Sequence, residues 1–366
     1  MLGRREGKVG VNIHDLARHL NVSIGTVSRA LNGRSDVSDE TRRRVVAAAK
    51  RLGYSPNQSG RSLRSGATGM VGFMIIANRA RASSGEAFFM TVFDGVQSKL
   101  AKSGMDLVIY YCGAEQNPET FAKRIVERKL VDGLIISQTT RIDRRIDYLI
   151  QRKFPFIAFG RSASGGAHSW LDLDFEGVAE QAIDLLCRQG HRRIAVATCE
   201  GDVNFGHVYL EACRAALARR GIELTDDLIH AVAMSQAGGY RLGESLLASR
   251  KPPTALVLVE NSIAIGLYSK LREAGVTPGR DLAVVGFDQT PTSSLFLSPS
   301  LTQFRLSLTE LGAWLGGHMA ALIEARRAGA TMPPARKIWP MEIVLGESTG
   351  PRIARAPDPL LAEPSV

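Results

Sequence analysis

From Met70 to about residue 345 the chain alternates short apolar runs with amphipathic stretches of helical length. A parallel sheet with helices on both faces accommodates that order, and few other architectures do. Strand-sized runs fall near 70–76, 106–111, 132–136 and 155–159, with helical stretches near 87–103, 117–129 and 142–152 between them. After Trp170–Asp174 a second series begins: helix 175–189, strand 193–198, helix 205–220, strand 228–233, helix 238–248, strand 255–259, helix 262–274 and strand 282–287. The pattern predicts an α/β core of two doubly wound lobes, residues 68–171 and 172–301. A long helix near 309–327 and a last apolar strand at 338–345 suit a return to the first lobe, so 302–346 is assigned there. Strands that cross between lobes make a hinge. Residues 347–366 are Pro-rich without a period and are expected to form a disordered tail.

Residues 1–54 follow a different grammar and predict a small all-α headpiece. Ile13, Leu16, Ala17 and Leu20 recur at helical spacing behind Asn12, a good N-cap, with Asp15 in the first turn. Asn21 tolerates a left-handed turn, and Ser23 is placed to cap a second helix with Val27 and Leu31 inward. Two short helices at a tight turn make a helix-turn-helix corner, which leaves Ile24, Gly25, Thr26, Ser28, Arg29 and Asn32 on the outer face of the second. Small hydrogen-bonding groups beside one guanidinium suit the major groove of duplex DNA. A third helix is predicted from the Ser38 cap to about Leu52, closed by Gly53. The following stretch, 55–67, carries Pro, Gly and Ser and reads as a linker with room for two helical turns, too short to hold in isolation.

Charge supports the nucleic-acid reading. Residues 1–67 hold thirteen Lys and Arg against five acids, which is eight of the chain's ten formal positive charges. A field confined to the segment with the exposed helix is the footprint of phosphate binding. The longest apolar runs are strand-sized and Met1–Gly10 is polar and basic, so neither a membrane span nor a signal peptide is expected, and the protein is expected in the cytoplasm. Four cysteines without a CxxC pair predict buried thiols, and no metal or cofactor site is expected. No phosphate-cradling loop, nucleophile elbow, HExxH or dinucleotide fingerprint is present, which leaves the lobes as a binding module without an enzyme's constellation.

Three segments, DLARHLNVSIGTVSRALNG, DVSDETRRRVVAAAKRLGYSPN and RSLRSGATGMVG, resemble in order and spacing the headpiece of the lactose-repressor (LacI/GalR) family of bacterial transcription regulators. The two lobes are similar to that family's periplasmic-binding-protein-like core, so the resemblance spans roughly residues 11–345. It implies a homodimer, with a tetramer left open, whose paired headpieces bind a near-palindromic operator and whose small-molecule effector sits between the lobes and alters operator affinity. By position, the family's base-contacting residues fall on Ile24, Gly25 and Arg29. Its backbone-contacting or positioning residues fall on Ser23, Thr26, Ser28 and Asn32, and the leucine that its hinge helix wedges into the minor groove falls on Leu63. Gly25 departs from relatives that carry a long amide there, and Gly60 replaces the usual Ala of the hinge helix.

The resemblance also implies an effector site. Phe88 and Phe89 open the first lobe's first helix, Arg161 ends a strand in FGRS, Trp170 precedes the crossover, and Asp288 in GFDQ matches an effector-binding aspartate. Tyr209 stands where many sugar-responsive relatives keep an arginine, and Glu260-Asn261 where they carry Asn-Asp. Aromatic faces with a carboxylate and a guanidinium suit a neutral polyol, so a sugar is the expected effector, with a nucleoside or phosphate ester as the alternative. A stand-alone ligand-binding protein would have similar lobes but no use for the basic headpiece.

Overall fold

The computed structural model describes residues 11–31, 36–54, 67–77, 85–288 and 296–350, with the side chains of 85–87 and 288 outside that description. The chain divides into two units, 1–68 and 69–366. In the first, helices α1 (Ile13–Leu20), α2 (Ile24–Leu31) and α3 (Asp39–Leu52) enclose a small core of Leu16, Ala17, Val27, Ala30, Val37, Val45, Ala48 and Ala49. The boundaries of α1 and α3 each have a local cause. Asn12 and Asp15 form a reciprocal capping box on α1, Asn21 ends it at φ 54°, Ser38 caps α3 and Gly53 closes it at φ 64°. Leu31, expected inward, is half-buried, and Ala30 takes the central place.

The second unit holds two six-stranded sheets. The first has the order β11-β5-β4-β3-β1-β2, all parallel, from β1 (Met70–Ile76), β2 (Asp106–Cys112), β3 (Gly133–Ser137), β4 (Phe156–Phe159), β5 (Ser169–Leu173) and β11 (Arg336–Trp339). The second has the order β12-β10-β9-β8-β6-β7, from β6 (Ile194–Cys199), β7 (Ile229–Val232), β8 (Ala255–Leu258), β9 (Ala283–Asp288), β10 (Thr302–Arg305) and β12 (Glu342–Val344), parallel except for the β10–β12 pair. The central strands β3, β6 and β8 are buried throughout, as strands covered on both faces must be. The covering helices are α4 (Gly85–Leu100), α5 (Pro118–Glu127), α6 (Arg144–Gln151), α7 (Phe175–Arg188), α8 (Asn204–Ala218), α9 (Gln236–Ala248), α10 (Asn261–Glu273) and α11 (Leu308–Arg327).

Three differences from the sequence expectation concern the crossovers. SWLDL, left outside the expected strands, is strand β5, with Trp170 at its second position. Residues 302–305, assigned to the first lobe, form β10 beside β9 in the second sheet. The single strand predicted at 338–345 is two, because Pro340 interrupts the ladder: β11 stays in the first sheet while β12 returns to the second. Between β5 and α7, between β10 and α11, and between β11 and β12, the chain passes from one lobe to the other. Two of these passages are tied together by Asp174 N donating to Trp339 O at 3.0 Å. Helix α11 does return to the first lobe, lying on α4 at such close range that a Cβ on Gly312 would strike Val92 O and one on Gly95 would strike Thr309 O.

Candidate functional site

On the headpiece, α2 buries Val27 and Ala30 and exposes Ser23, Ile24, Gly25 and Arg29, with Thr26 and Ser28 half-buried. Ser23 is the helix cap: its Oγ accepts from Thr26 N at 3.0 Å and lies 2.8 Å from Thr26 Oγ1. A hydroxyl pair occupied with each other positions the helix, whereas Ile24 and Arg29 project from it. Arg29 Nε lies 3.3 Å from Asp36 Oδ2, and its guanidinium lies over Gly25, 3.5 Å from where a Cβ would stand. Asn32 and Leu63 lie outside the described residues, as do residues 55–66 of the predicted hinge helix and 351–366 of the predicted tail; residues 347–350, also assigned to the tail, are instead packed on the second lobe, where Ser348 is fully buried and its Oγ donates to Val284 O at 2.6 Å.

In the core, carboxyl ends of strands from the two sheets meet, which is where open α/β sheets bind ligands. The segment after β3 carries Thr139 to Arg141, the segment after β4 carries Arg161, and the segment after β6 carries Val203 and Asn204. Asn204 N donates to Thr139 O and Asn204 Nδ2 to Arg161 O, both at 2.8 Å, while Thr139 Oγ1 donates to the same Arg161 carbonyl at 2.8 Å. Thr140 and Val203 form an isolated antiparallel bridge, and Arg141 reaches Glu211 at 3.5 Å. The lobes are thus clasped across the crevice by groups that no local pattern in the sequence announces.

The Arg161 side chain belongs to this clasp. Its Nε donates to Asp172 on β5 at 2.7 Å, and its two terminal nitrogens fork onto Glu176 in the first turn of α7, at 2.8 and 2.7 Å. Glu176 opens the second lobe, so the fork spans the hinge. Partial burial works to raise the Glu176 pKa, but the two guanidinium hydrogen bonds prevail and hold it below the usual glutamate range. Burial would disfavour the Arg161 cation, and its two carboxylate partners more than offset that, so it stays charged. Asp172, 3% exposed, is pushed upward by burial against the pull of Arg161. Trp170 shares its face of β5 with Asp172, its ring 5.8 Å from the guanidinium carbon.

The remaining predicted positions divide into core and rim. Phe88 and Phe89 are 8% exposed and belong to an aromatic cluster in which Phe88 stacks on Phe159 at 6.0 Å and Phe89 meets Phe73 edge-on at 5.9 Å. Tyr209 is 1% exposed and hands its hydroxyl to Leu258 O at 3.3 Å. It sits edge-on to Phe175, so it offers nothing to solvent. Glu260 caps α10, accepting from Ser262 N at 2.9 Å. Asn261, the first residue of α10, is 3% exposed, and its Nδ2 has no hydrogen-bond partner among the described residues. Asp288 is the last residue of β9, in register with Arg305; its side chain is outside the described part.

Residues 12–57 match the family of bacterial regulatory proteins of the lacI type, and residues 183–349 match the periplasmic binding protein-like domain. The regulator AglR of Rhizobium meliloti is 30% identical over 95% of this chain and 97% of its own length. The chain belongs to the LacI family. RafR of Escherichia coli is 32% identical over 78% of this chain and 84% of its own. Among solved structures, the transcriptional regulator CelR in complex with cellobiose is 27% identical with a TM-score of 0.67, covering 92% of this chain and 99% of that one. The operator-bound lac repressor dimer shares the fold at 22% identity and a TM-score of 0.79, covering 93% and 99%. The chain is therefore a DNA-binding transcription regulator with the helix-turn-helix and two-lobed core of its family, and its relatives are regulators and not enzymes. Among the described residues no helix is long and apolar enough to cross a membrane.

Sequence reasoning missed Thr139, Asp172, Glu176 and Asn204. A signal existed for one of them: a carboxylate inside the apolar run WLDL is costly unless paired, and it implies a cation close by.

Proposed function

We propose that this regulator reads a near-palindromic operator as a homodimer, through the exposed face of α2, and that a neutral polyhydroxy ligand, a sugar, binds between the lobes and alters that affinity. The observation that carries the first half is α2 itself: a capped helix with an apolar inner side, presenting Ile24 and Arg29 outward from a strongly basic unit. Arg29 supplies base readout, with Ser23, Thr26, Ser28 and Asn32 orienting the helix on the backbone, and Leu63 acts as a minor-groove wedge. Large apolar side chains left open on the first lobe, Met90 at 61%, Ile109 at 41% and Tyr111 at 66%, with Phe296 at 87% on the second, favour a subunit interface.

The second half draws on the crevice. Among the described residues, Asp172, Glu176 and Glu260 stand around Arg161, whose nitrogens are already engaged by two of these carboxylates, a balance that disfavours a phosphate ester. Asn261 offers a buried amide donor still to be satisfied, suited to a ligand hydroxyl. The Phe88–Phe159 stack borders Gly160 and Arg161 and can back an apolar sugar face. Cellobiose bound to CelR and the name of the ribose operon repressor, 29% identical over 81% of this chain, point the same way.

Two experiments test the reading. Selection from a randomised duplex library should return a near-palindrome, on which Arg29→Ala costs about 1–3 kcal/mol and much less on unrelated DNA. Calorimetry with a sugar panel should find a binder whose affinity falls in Asn261→Ala and Asp288→Ala; tight binding of a purine or phosphate ester and of no sugar would reject the effector class alone.

A further inference from the structure

Asp36 stands out among the acids of the headpiece. Of the four in its described residues, Asp15 completes the α1 capping box and Asp39 and Glu40 lie in the first turn of α3, where carboxylates complement a helix end. Asp36 lies outside any helix, 61% exposed, and faces the arginine of α2 at 3.3 Å. An exposed pair of this kind contributes little to folding. On a surface that must approach phosphates, a carboxylate also subtracts from the attraction. Its place is explained if it acts on Arg29.

We propose that Asp36 is a specificity-determining positioning residue: it holds Arg29 by Nε so that the guanidinium lies across Gly25 with its terminal nitrogens facing outward. This rests on the reading of α2 as the base-contacting helix. The geometry divides the guanidinium in two. Nε is taken by the carboxylate, while Nη1 passes over the bare backbone of Gly25. Two terminal nitrogens presented side by side match the O6 and N7 acceptors of guanine in the major groove. A long flexible side chain fixed by a neighbour loses less freedom on binding. Gly25 then serves as the floor of the slot in which Arg29 lies, and not as a missing contact: a large side chain there would displace the guanidinium. The carboxylate has a second effect. It repels phosphates wherever Arg29 is not engaged with a base, which weakens binding to sequences that lack the guanine.

The test uses the full-length protein and the duplex returned by selection with the wild type, with a scrambled duplex of the same composition as control. Asp36→Ala should weaken binding to the selected duplex about tenfold, strengthen binding to the scrambled one severalfold, and flatten the preference at one symmetric pair of G·C positions. In an Arg29→Ala background the same change should strengthen both duplexes equally, because only repulsion remains to be removed. Gly25→Gln should disturb the same base pair as Asp36→Ala. If Asp36→Ala strengthens both duplexes equally in the wild-type background and leaves every base preference intact, Asp36 is a bystander charge and the proposal fails. If the wild type selects no sequence at all, the reading of α2 fails and takes the proposal with it.

Discussion

The clasp across the crevice makes a quantitative expectation for Asn204→Ala combined with Glu176→Ala. The Asn204 side chain loses one neutral hydrogen bond to Arg161 O, whose net worth is about 0.5–1.5 kcal/mol. The larger penalty for an orphaned carbonyl does not apply, because Thr139 Oγ1 still donates to the same oxygen. Glu176 is half exposed, so its forked pair with Arg161 is screened and contributes about 0.5–1 kcal/mol, and Asp172 remains to hold the cation. Both contacts bridge the lobes, so an opening that separates the two sides of the crevice would break them. Together they bias closure by about 1–2.5 kcal/mol, roughly a five- to seventyfold shift toward the open form on their removal. Small-angle scattering of the ligand-free double mutant should report a larger radius of gyration, and affinity for whichever sugar the panel identifies should fall by a comparable factor if that sugar prefers the closed form. An unchanged radius and an unchanged sugar affinity would refute the assignment of closure energy to these contacts.

Acid should loosen the same clasp. The folded-state pKa of Glu176 is depressed, so its contribution is fully present above the ordinary glutamate range and is lost as pH falls through the depressed value. The radius of gyration should rise over that interval in the wild type and lose this component in Glu176→Gln. Tyr209→Phe removes a long hydrogen bond at a fully enclosed position; a cost of about 1 kcal/mol or less and an unaltered sugar affinity are expected, whereas a tenfold loss of affinity would return Tyr209 to the ligand site. Gly312→Ala forces a methyl group onto Val92 O across the α4–α11 contact and should destabilise the core by about 1–3 kcal/mol or more in a denaturant titration, with headpiece helices intact by circular dichroism.

What was legible in the chain followed from period and punctuation. Val71, Phe73, Leu134, Ile135 and Ile136 announce buried strands by composition, and Asn12, Ser38 and Gly53 mark helix ends by side-chain chemistry that acts within a few residues. β10 was missed because TQFR is four residues long and polar at all but Phe304; its Thr302 and Gln303 are buried by the packing of the surrounding lobe and not by their own hydropathy. The clasp was illegible for another reason. Arg161 and Asn204 are 43 positions apart and in different lobes, so their hydrogen bond depends on how two sheets face each other. Arg161 itself was found as a residue of the crevice, but its engagement by Asp172 and Glu176 could not be read from FGRS.

That engagement changes what an effector must do. A ligand shifts a two-state equilibrium only through its different affinity for the two states. With closure biased by about 1–2.5 kcal/mol from these two protein contacts, a ligand satisfied by one lobe would leave the balance where it was. Phe88 and Phe159 lie on the first lobe and Asn261 on the second, so a ligand that stacks on one and accepts from the other gains most when the crevice is shut. A ligand large enough to wedge between Thr139 and Asn204 would act in the opposite direction, breaking the clasp as it binds. The size of the ligand relative to the crevice, more than its hydroxyl pattern, would then decide the direction of the switch. A monosaccharide and a disaccharide sharing the same terminal ring would discriminate: opposite changes in the radius of gyration would follow from wedging, and changes of the same sign from capture alone. The energies are commensurate, since coupling between sites is typically about 1–3 kcal/mol, so a clasp of this strength is firm enough to set a resting state and weak enough for one small molecule to override.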